Sequence, residues 1–368
     1  MTEYRICARC IMDTSDPEIT FDENGVCNHC HLFDDRMRRM VIPPEQRDAR
    51  LAALLDQIRA TSKGRAYDCV IGVSGGVDST YVAYLCKQWG LRPLAVHFDN
   101  GWDSELAVAN IEKTLKRLDI DLYTHVVDWE EFRDLQLSFL RASTPDGEVP
   151  TDHAISALLY RLAARHGIKH ILLGTNVVTE GVMPMLWGYG YFDLRYIRAV
   201  HRRFGKARLR TYPMMGLLRL SYYVLARGIR GVPILNYVDY DKKRAMTTIE
   251  SDLGWIYYGG KHYESIYTRF FQAYMLPRKF NIDKRRAHNS ALILSGQMSR
   301  EHAFQAMAEP LYPDPRMEEE DRTYVVKKLG IGEADFASIM QSPPKTFRGY
   351  PNSYDLLQSV KFMRRFFK

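Results

Sequence analysis

The chain has 368 residues, of which 46% are hydrophobic and 26% are charged, as expected of a globular enzyme with one sizeable α/β domain and smaller attachments. No run approaches the ~18 apolar residues that a membrane-spanning helix needs. The first residues lack the basic-then-apolar layout of a signal peptide, so we expect a cytoplasmic protein. The net charge of +7 suits a polyanionic small substrate as well as nucleic acid, and does not choose between them.

Four of the six cysteines lie in the first 30 residues, as two Cys-x-x-Cys pairs separated by 16 residues. This spacing predicts a closed, structural Cys₄ zinc site made by Cys7, Cys10, Cys27 and Cys30. Between the pairs, residues 19–26 predict a hairpin with Asn-Gly at its turn. Two disulfides are the alternative, which a cytoplasmic chain disfavours. We therefore expect a zinc ribbon at residues 1–35, followed by a helical connector at 36–66.

The stretch Cys69–Thr80 reads CVIGVSGGVDST, which predicts a buried strand, a sharp turn at Ser74-Gly75-Gly76 and a helix. The two glycines permit tight backbone geometry and let N–H groups approach an anion at the positive end of that helix. The Gly-Lys-Ser/Thr tail of a Walker loop is missing. An ordinary glycine-rich turn is the alternative. The full pattern favours a phosphate-binding loop at residues 74–80, named the phosphate loop below.

Strands and helices alternate after this loop, which predicts a doubly wound parallel α/β sheet within a domain at residues 67–182. The expected elements are strands at 91–101, 121–127 and 168–176 and helices at 104–118 and 150–166. Ligands bind such sheets outside the carboxyl ends of the strands. The polar residues expected at that edge are Ser74, Asp99, Asn100, Gly174, Thr175 and Asn176.

Residues 183–368 are expected to form a substrate-binding and mainly helical region. Its first part is rich in arginine, with Arg195, Arg198, Arg202, Arg203, Lys206, Arg208 and Arg210 in one block. These residues form either a solvated basic helix or contacts to a phosphate or carboxylate, and a membrane-surface role is a weaker interpretation. Further on, a glycine pair precedes Lys261 and His262. Lys261, Glu264 and Thr268 are expected on one helical face, where the alternative is a set of surface ion pairs.

The sequence Ser-Gly-Gly-x-Asp-Ser at residues 74–79 resembles the loop of the PP-loop ATP pyrophosphatases, which cleave ATP between its α- and β-phosphates. Asparagine, argininosuccinate, GMP and NAD synthetases and tRNA thiolation enzymes belong to this superfamily. The resemblance implies that the phosphate loop holds pyrophosphate and that Asp78 lies near Mg²⁺.

Nearly the whole chain resembles the N-acetyl sugar amidotransferases of bacterial surface-polysaccharide biosynthesis, through the paired Cys-x-x-Cys, residues 96–102 (VHFDNGW) and residues 258–265 (YGGKHYES). This implies that ATP and ammonia convert an acetamido group of a nucleotide-activated sugar into an acetamidino group. It further implies a partner glutaminase resembling that of imidazole-glycerol-phosphate synthase, with a cyclase-like subunit as a further candidate. The sequence has no cysteine after Cys86, and the residue after Met1 is Thr2 rather than cysteine. We therefore expect no glutaminase nucleophile in this chain.

Within this chemistry we hypothesise roles for individual residues. Asp78, Asp152 and Lys261 are the expected catalytic residues. The expected nucleotide site comprises Val73, Ser74, Gly75, Gly76, Ser79, Thr80, His97, Asp99, Gly174 and Thr175. The expected substrate contacts are Asn100, Asn176, His262, Glu264 and Arg269.

Two other functions stay open at this point. A PP-loop tRNA sulfurtransferase also adenylates a carbonyl oxygen, but such enzymes resemble one another in using downstream cysteines, and only Cys69 and Cys86 remain here outside the predicted zinc site. A zinc-ribbon adaptor that binds nucleic acid is the non-enzymatic alternative. We expect no stable nucleic-acid complex.

Overall fold

A five-stranded parallel sheet forms the centre of the molecule in this computed structural model, which describes residues 3–260 and 263–359. The strands are β1 (Cys69–Gly72), β2 (Pro93–Asp99), β3 (Leu122–Val126), β4 (His170–Leu173) and β5 (Arg230–Pro233), in the order β3-β2-β1-β4-β5. The predicted doubly wound α/β fold is confirmed. The sequence did not predict β5, a four-residue edge strand that begins with Arg-Gly and lacks an apolar run.

Strand β1 lies at the point where the strand order reverses, so the carboxyl ends of β1 and β4 flank a crevice. Its side chains alternate between two apolar cores. Val70 belongs to one core together with Leu158 and Leu159, whereas Cys69 and Ile71 belong to the other. Both faces of the central strand are therefore buried, which explains why it reads as a continuous apolar run.

Seventeen α-helices are present in the described part of the chain. They are α1 (Asn28–Met40), α2 (Arg47–Ser62), α3 (Val77–Gln88), α4 (Glu105–Leu118), α5 (Trp129–Ala142), α6 (Val149–His166), α7 (Val177–Glu180), α8 (Leu194–Phe204), α9 (Leu217–Ser221), α10 (Lys242–Leu253), α11 (Ile266–Phe270), α12 (Leu276–Phe280), α13 (Lys284–Leu294), α14 (Arg300–Ala308), α15 (Pro315–Leu329), α16 (Glu333–Gln341) and α17 (Tyr354–Ser359). Two π-helical segments, Tyr222–Ala226 and Phe271–Met275, continue α9 and α11. Among the helices described, none is long and apolar enough to cross a membrane.

Two helical segments differ from regular α-helices or from the expected bounds. The segment that begins with α9 changes to π geometry at Tyr222 and ends at Ala226, before Gly228 with its positive φ of 65°. Helix α11 begins only at Ile266, capped by the Ser265 hydroxyl, so Glu264 precedes the helix and the expected shared helical face is wrong for it. The domain boundaries at residues 35, 66 and 182 remain predictions.

Candidate active site

The phosphate loop adopts the compact turn that its sequence predicts. Gly75 has φ of 78°, and a Cβ atom there would lie 2.7 Å from the carbonyl oxygen of Ala107 in α4. Gly76 is the N-cap of α3, so the positive end of that helix opens onto the loop. The Gly75 carbonyl accepts a 2.8 Å hydrogen bond from the indole nitrogen of the buried Trp255. The loop is thus held from two sides in a shape that suits an anion.

Hydroxyl groups line the same loop. The Ser74 and Ser79 oxygens are 3.2 Å apart, and the Gly76 N–H donates to the Ser74 hydroxyl at 3.3 Å. Ser79 donates in turn to the Gly76 carbonyl at 3.2 Å. Phosphate oxygens are acceptors, so these hydroxyl and amide donors can turn toward one.

A cavity of about 320 Å³ opens beside the loop. Seven of the predicted site residues line it: Ser74, Gly76, Asp78, Ser79, Gly174 and Thr175, together with Glu264 from the C-terminal region. The remaining lining residues were not predicted, and they are Val77, Glu180, Lys242, Met246, Tyr257, Tyr258 and Gly260. The cavity therefore joins the carboxyl edge of the sheet to segments that follow β5.

Asp78 is held by a tyrosine from outside the α/β core. The hydroxyl of Tyr240 donates a hydrogen bond to Oδ1 of Asp78, and burial together with this carboxylate raises the pKa of Tyr240. The Tyr240 carbonyl accepts from the side-chain amide of Gln297 at 2.9 Å. Tyr240 thereby fixes the orientation of a carboxylate that faces the cavity. No sequence motif marked this tyrosine.

Glu264 approaches the phosphate loop from the opposite side. Its Oε1 atom would lie 3.5 Å from a Cβ atom at Gly76, as would the hydroxyl of Tyr258. The Glu264 backbone carbonyl accepts a hydrogen bond from the Ser104 N–H at 2.8 Å, which places Glu264 beside the N-terminus of α4. Burial, followed by the charge of Glu264, raises the pKa of Tyr258. With Asp78 and Glu180, the cavity holds three carboxylates of the kind that bind Mg²⁺.

Several predicted site residues have structural roles outside the cavity lining. Asn176 caps α7 by accepting from the Thr179 N–H at 2.8 Å. Asn100 accepts from the Trp102 N–H at 3.1 Å and donates to Thr151 at 3.3 Å. Arg269 forms a two-point ion pair with Asp321 at 2.6 and 2.7 Å, so its guanidinium is committed to that carboxylate rather than to a substrate.

Other residues of the expected nucleotide site lie outside the cavity lining. His97 contacts the Val73 carbonyl at 3.1 Å through Nδ1 and Asp103 at 3.3 Å through Nε2. Burial alone would lower the pKa of His97, but Asp103 outweighs it and the pKa is raised. Asp99 accepts from the Gly101 N–H at 2.9 Å, and Thr80 is 4% exposed within α3. Lys261 and His262 lie outside the described residues.

Asp152 belongs to a separate group of carboxylates at the start of α6. Burial raises the pKa of Glu148 to about 8 and that of Asp152 to about 7, and the pKa of Asp146 is also raised. The Asp152 side chain nevertheless keeps contact with solvent. The charge of Glu180, which lines the cavity, contributes to the shift of Asp152. This group therefore adjoins the cavity electrostatically without lining it.

The four N-terminal cysteines come together as predicted. Their Sγ atoms lie within 4.8 Å of one another, with neighbouring pairs at 3.7 Å. A tetrahedral zinc ion with Zn–S bonds of about 2.3 Å requires sulfur separations of about 3.8 Å, whereas a disulfide requires about 2.05 Å. Backbone N–H groups of Arg9, Cys10 and Cys27 point at Cys7 Sγ at 3.4, 3.5 and 3.2 Å. The cluster fits zinc.

Comparison with known proteins divides the chain into two matched parts. Residues 264–364 match the family described as LPS biosynthesis protein WbpG-like, C-terminal domain, and residues 50–210 match NAD synthase. The NAD synthase match contains the phosphate loop, and the WbpG-like match begins at the cavity residue Glu264.

Individual proteins match either over a short stretch or at low identity. The tRNA-specific 2-thiouridylase MnmA of Desulfosudis oleivorans is 32% identical over 83 residues, or 20% of this chain, and the match spans only 22% of that relative. Among solved structures, the NH3-dependent NAD synthetase of Campylobacter jejuni shares 16% identity (TM-score 0.29, 55% of this chain, 82% of that one). NMN synthetase of Francisella tularensis shares 15% (TM-score 0.28, 58% and 94%). These superpositions are too loose to bear on the site.

Proposed function

The chain belongs to the WbpG-type lipopolysaccharide biosynthesis family of the PP-loop superfamily, and we propose that it is an ATP-dependent amidotransferase. Its substrate would be the acetamido group of a nucleotide-activated sugar, which becomes an acetamidino group. The observation that carries this proposal is the composition of the cavity. A phosphate loop on one wall faces Glu264, the first residue of the WbpG-like domain, on the other.

The reaction needs an activated oxygen, because an amide oxygen is a poor leaving group. The acetamido oxygen attacks the α-phosphorus of ATP, the amide nitrogen loses its proton, and pyrophosphate leaves. The O-adenylyl imidate is then attacked at carbon by ammonia, and AMP leaves with the original oxygen. The sum is one ATP and one ammonia consumed, with AMP, pyrophosphate and the amidine formed.

Each wall of the cavity has a role in this scheme. The N-terminus of α3 and the hydroxyls of Ser74 and Ser79 would bind the departing pyrophosphate. Asp78, Glu180 and Glu264 supply carboxylate oxygens for Mg²⁺, which would neutralise charge on the phosphates. Lys242 brings a cation to the same cavity. Lys261 is proposed to stabilise the transferring phosphoryl group.

Zinc and a partner complete the proposal. The closed Cys₄ cluster would hold a structural Zn²⁺. Ammonia would come from a glutaminase subunit, because nothing in residues 31–368 offers a cysteine beyond Cys69 and Cys86, and both are fully buried. The same burial counts against tRNA thiolation, which the local match to a 2-thiouridylase would otherwise favour.

The test is mass spectrometry of a reaction with ATP, Mg²⁺, ammonium and a panel of nucleotide-linked N-acetylated sugars, with AMP measured in parallel. The proposal requires a product in which oxygen is replaced by NH, at a mass about 1 Da lower, formed in step with AMP. AMP release stimulated by tRNA, without any change in a sugar, would instead assign the enzyme to thiolation.

The role of Lys261 has a separate test. Loss of turnover in Lys261→Ala would support a role for Lys261 in phosphoryl transfer, and unchanged turnover would exclude that role.

A further inference from the structure

Positive charge is concentrated in one segment of the chain. Residues 153–230 contain thirteen Lys and Arg but only two carboxylates, Glu180 and Asp193, and so carry +11. The other 290 residues carry −4. Asp193 is 2% exposed and caps α8, and Glu180 lines the cavity, so neither offsets charge at the outer surface. An asymmetry of this size points to a polyanionic partner.

In the described part of the chain, the basic side chains of this segment have no carboxylate partners, although Arg227 donates to the Ala164 carbonyl and Arg203 lies over the Phe204 ring. Within residues 3–260 and 263–359, no ion pair involves any basic residue of the segment (Arg161, Arg165, Lys169, Arg195, Arg198, Arg202, Arg203, Lys206, Arg208, Arg210, Arg219, Arg227 and Arg230). Most of these side chains are exposed, and none of them lines the active-site cavity. The alternative that they bind the reacting phosphates is therefore the weaker one.

An apolar ridge projects from the same surface. Leu218, Tyr222 and Leu225 are 90%, 51% and 61% exposed, and they follow one another at i, i+4 and i+7 along the helix formed by α9 and its π-helical continuation. Leu220 and Tyr223 on the same helix are buried. The ridge is therefore the outward face of a helix whose other face is anchored in the core.

Two basic elements contact the ridge helix. The Tyr223 ring stacks on Tyr160 of α6, the helix that also carries Arg161 and Arg165. Leu194 at the start of α8 packs against Gly216, the N-cap of α9. Arg219 lies on the ridge helix itself. The exposed leucines thus stand among unpaired cations.

We propose that the face formed by α6, α8 and the ridge helix docks on an anionic phospholipid surface, with the ridge inserted at the level of the headgroups. Leucine, tyrosine and arginine side chains on one helical surface are typical of interfacial binding. Nucleic acid would meet the arginines but leave aliphatic Leu218 and Leu225 without a function, since bases stack on aromatic rings. The patch is also a narrow ridge rather than the broad apolar centre of a stable protein interface. Docking here leaves the phosphate-loop cavity free of lipid contacts, since no ridge residue lines it.

The test is co-sedimentation of the full chain with vesicles of phosphatidylcholine alone or with about one-third phosphatidylglycerol. We expect binding only to the anionic vesicles, weakening between about 0.05 and 0.5 M salt. Leu218→Asp should reduce binding at least about tenfold, whereas Val108→Asp, a half-exposed apolar position on α4, should not. The double variant Arg165→Glu with Arg219→Glu should also reduce binding at least about tenfold. The control double variant Arg50→Glu with Lys63→Glu, at exposed positions outside the basic segment, should not.

Thermal melting of each variant checks that the fold is kept, and Leu225→Ser provides a milder second change in the ridge. Absence of binding to anionic vesicles at low salt would overturn the proposal. So would equal binding of Leu218→Asp and the wild-type chain. If ridge variants keep vesicle binding but lose a stoichiometric complex with an ammonia-supplying protein, the face is a protein interface instead.

Discussion

Gly75 offers the most direct test of the phosphate loop, because two separable physical effects act there. Its φ of 78° strains any residue with a Cβ atom, at a cost of about 1–2 kcal/mol. In addition, the Cβ atom of an alanine would lie 2.7 Å from the Ala107 carbonyl oxygen, about half an ångström closer than carbon and oxygen normally approach. Ala107 is fully buried in the first turn of α4 and has no room to retreat, so the loop must move.

Gly90 is the matched control at the other end of α3. It also has a positive φ, 68°, but a Cβ atom there meets nothing within 4 Å. Gly90→Ala should therefore cost only the strain of about 1–2 kcal/mol and leave nucleotide binding unchanged. Gly75→Ala should cost about 2–4 kcal/mol, because overpacking adds to the strain.

The functional difference should be larger than the difference in stability. Moving the loop by half an ångström weakens two or more charge-assisted hydrogen bonds to phosphate, each worth about 1.5–3 kcal/mol. We expect Gly75→Ala to bind a non-hydrolysable ATP analogue with Mg²⁺ at least about 100-fold more weakly by titration calorimetry. Urea unfolding supplies the stability of both variants. If the two alanine variants bind the analogue equally well, the loop does not hold the phosphates.

Three further predictions concern the surroundings of the cavity. Tyr240→Phe removes the donor that orients Asp78 and should lower AMP formation about 10–100-fold at a nearly unchanged melting temperature. The control Tyr84→Phe, which loses a hydroxyl bound to an exposed carboxylate, should leave AMP formation unchanged. Cys27→Ser should release zinc in a metal analysis and lower the melting temperature, and retained zinc with unchanged stability would contradict the proposed cluster. Burial raises the pKa of Glu148 from 4.5 to about 8. Between these two pH values Glu148 keeps its proton in the folded protein but loses it in the unfolded chain. The contribution of Glu148 to stability is therefore present below pH 4.5 and is lost as the pH rises to about 8. Glu148→Gln should therefore be more stable than wild type at pH 8 by about 1–3 kcal/mol, with little difference at pH 4, in urea unfolding at both pH values.

The sequence predicted those parts of the molecule that depend on local chemistry. The strand before Ser74 is apolar because both faces of the central strand are buried, and Gly75 is needed at a backbone position with positive φ next to another helix. The two Cys-x-x-Cys pairs bring four sulfurs to zinc-like distances through their own knuckle geometry. In each case the residues that determine the feature lie close together in the chain.

The parts that could not be predicted depend on long-range packing. Tyr240 and Lys242 reach the cavity only because β5 adds to the far edge of β4 and returns the chain to the carboxyl edge of the sheet. A four-residue edge strand carries too little pattern to be found from the sequence. Asn100 and Asn176 show that polar residues at strand ends also serve as turn and helix caps, and their predicted substrate contacts stay predictions.

The position of Glu180 explains why the predicted zinc ribbon matters to the cavity. Glu180 ends α7, and the next residue, Gly181, is packed so tightly that a Cβ atom there would lie 2.8 Å from the Phe33 ring of α1. Arg36, also on α1, donates to the Gly181 carbonyl at 2.7 Å, and burial lowers its pKa. Helix α1 begins directly after the third cysteine and contains the fourth. The cysteine cluster therefore sets where α1 starts, α1 fixes the end of α7, and α7 presents a carboxylate to the cavity beside the phosphate loop. The N-terminal segment is thus part of the architecture of the candidate active site.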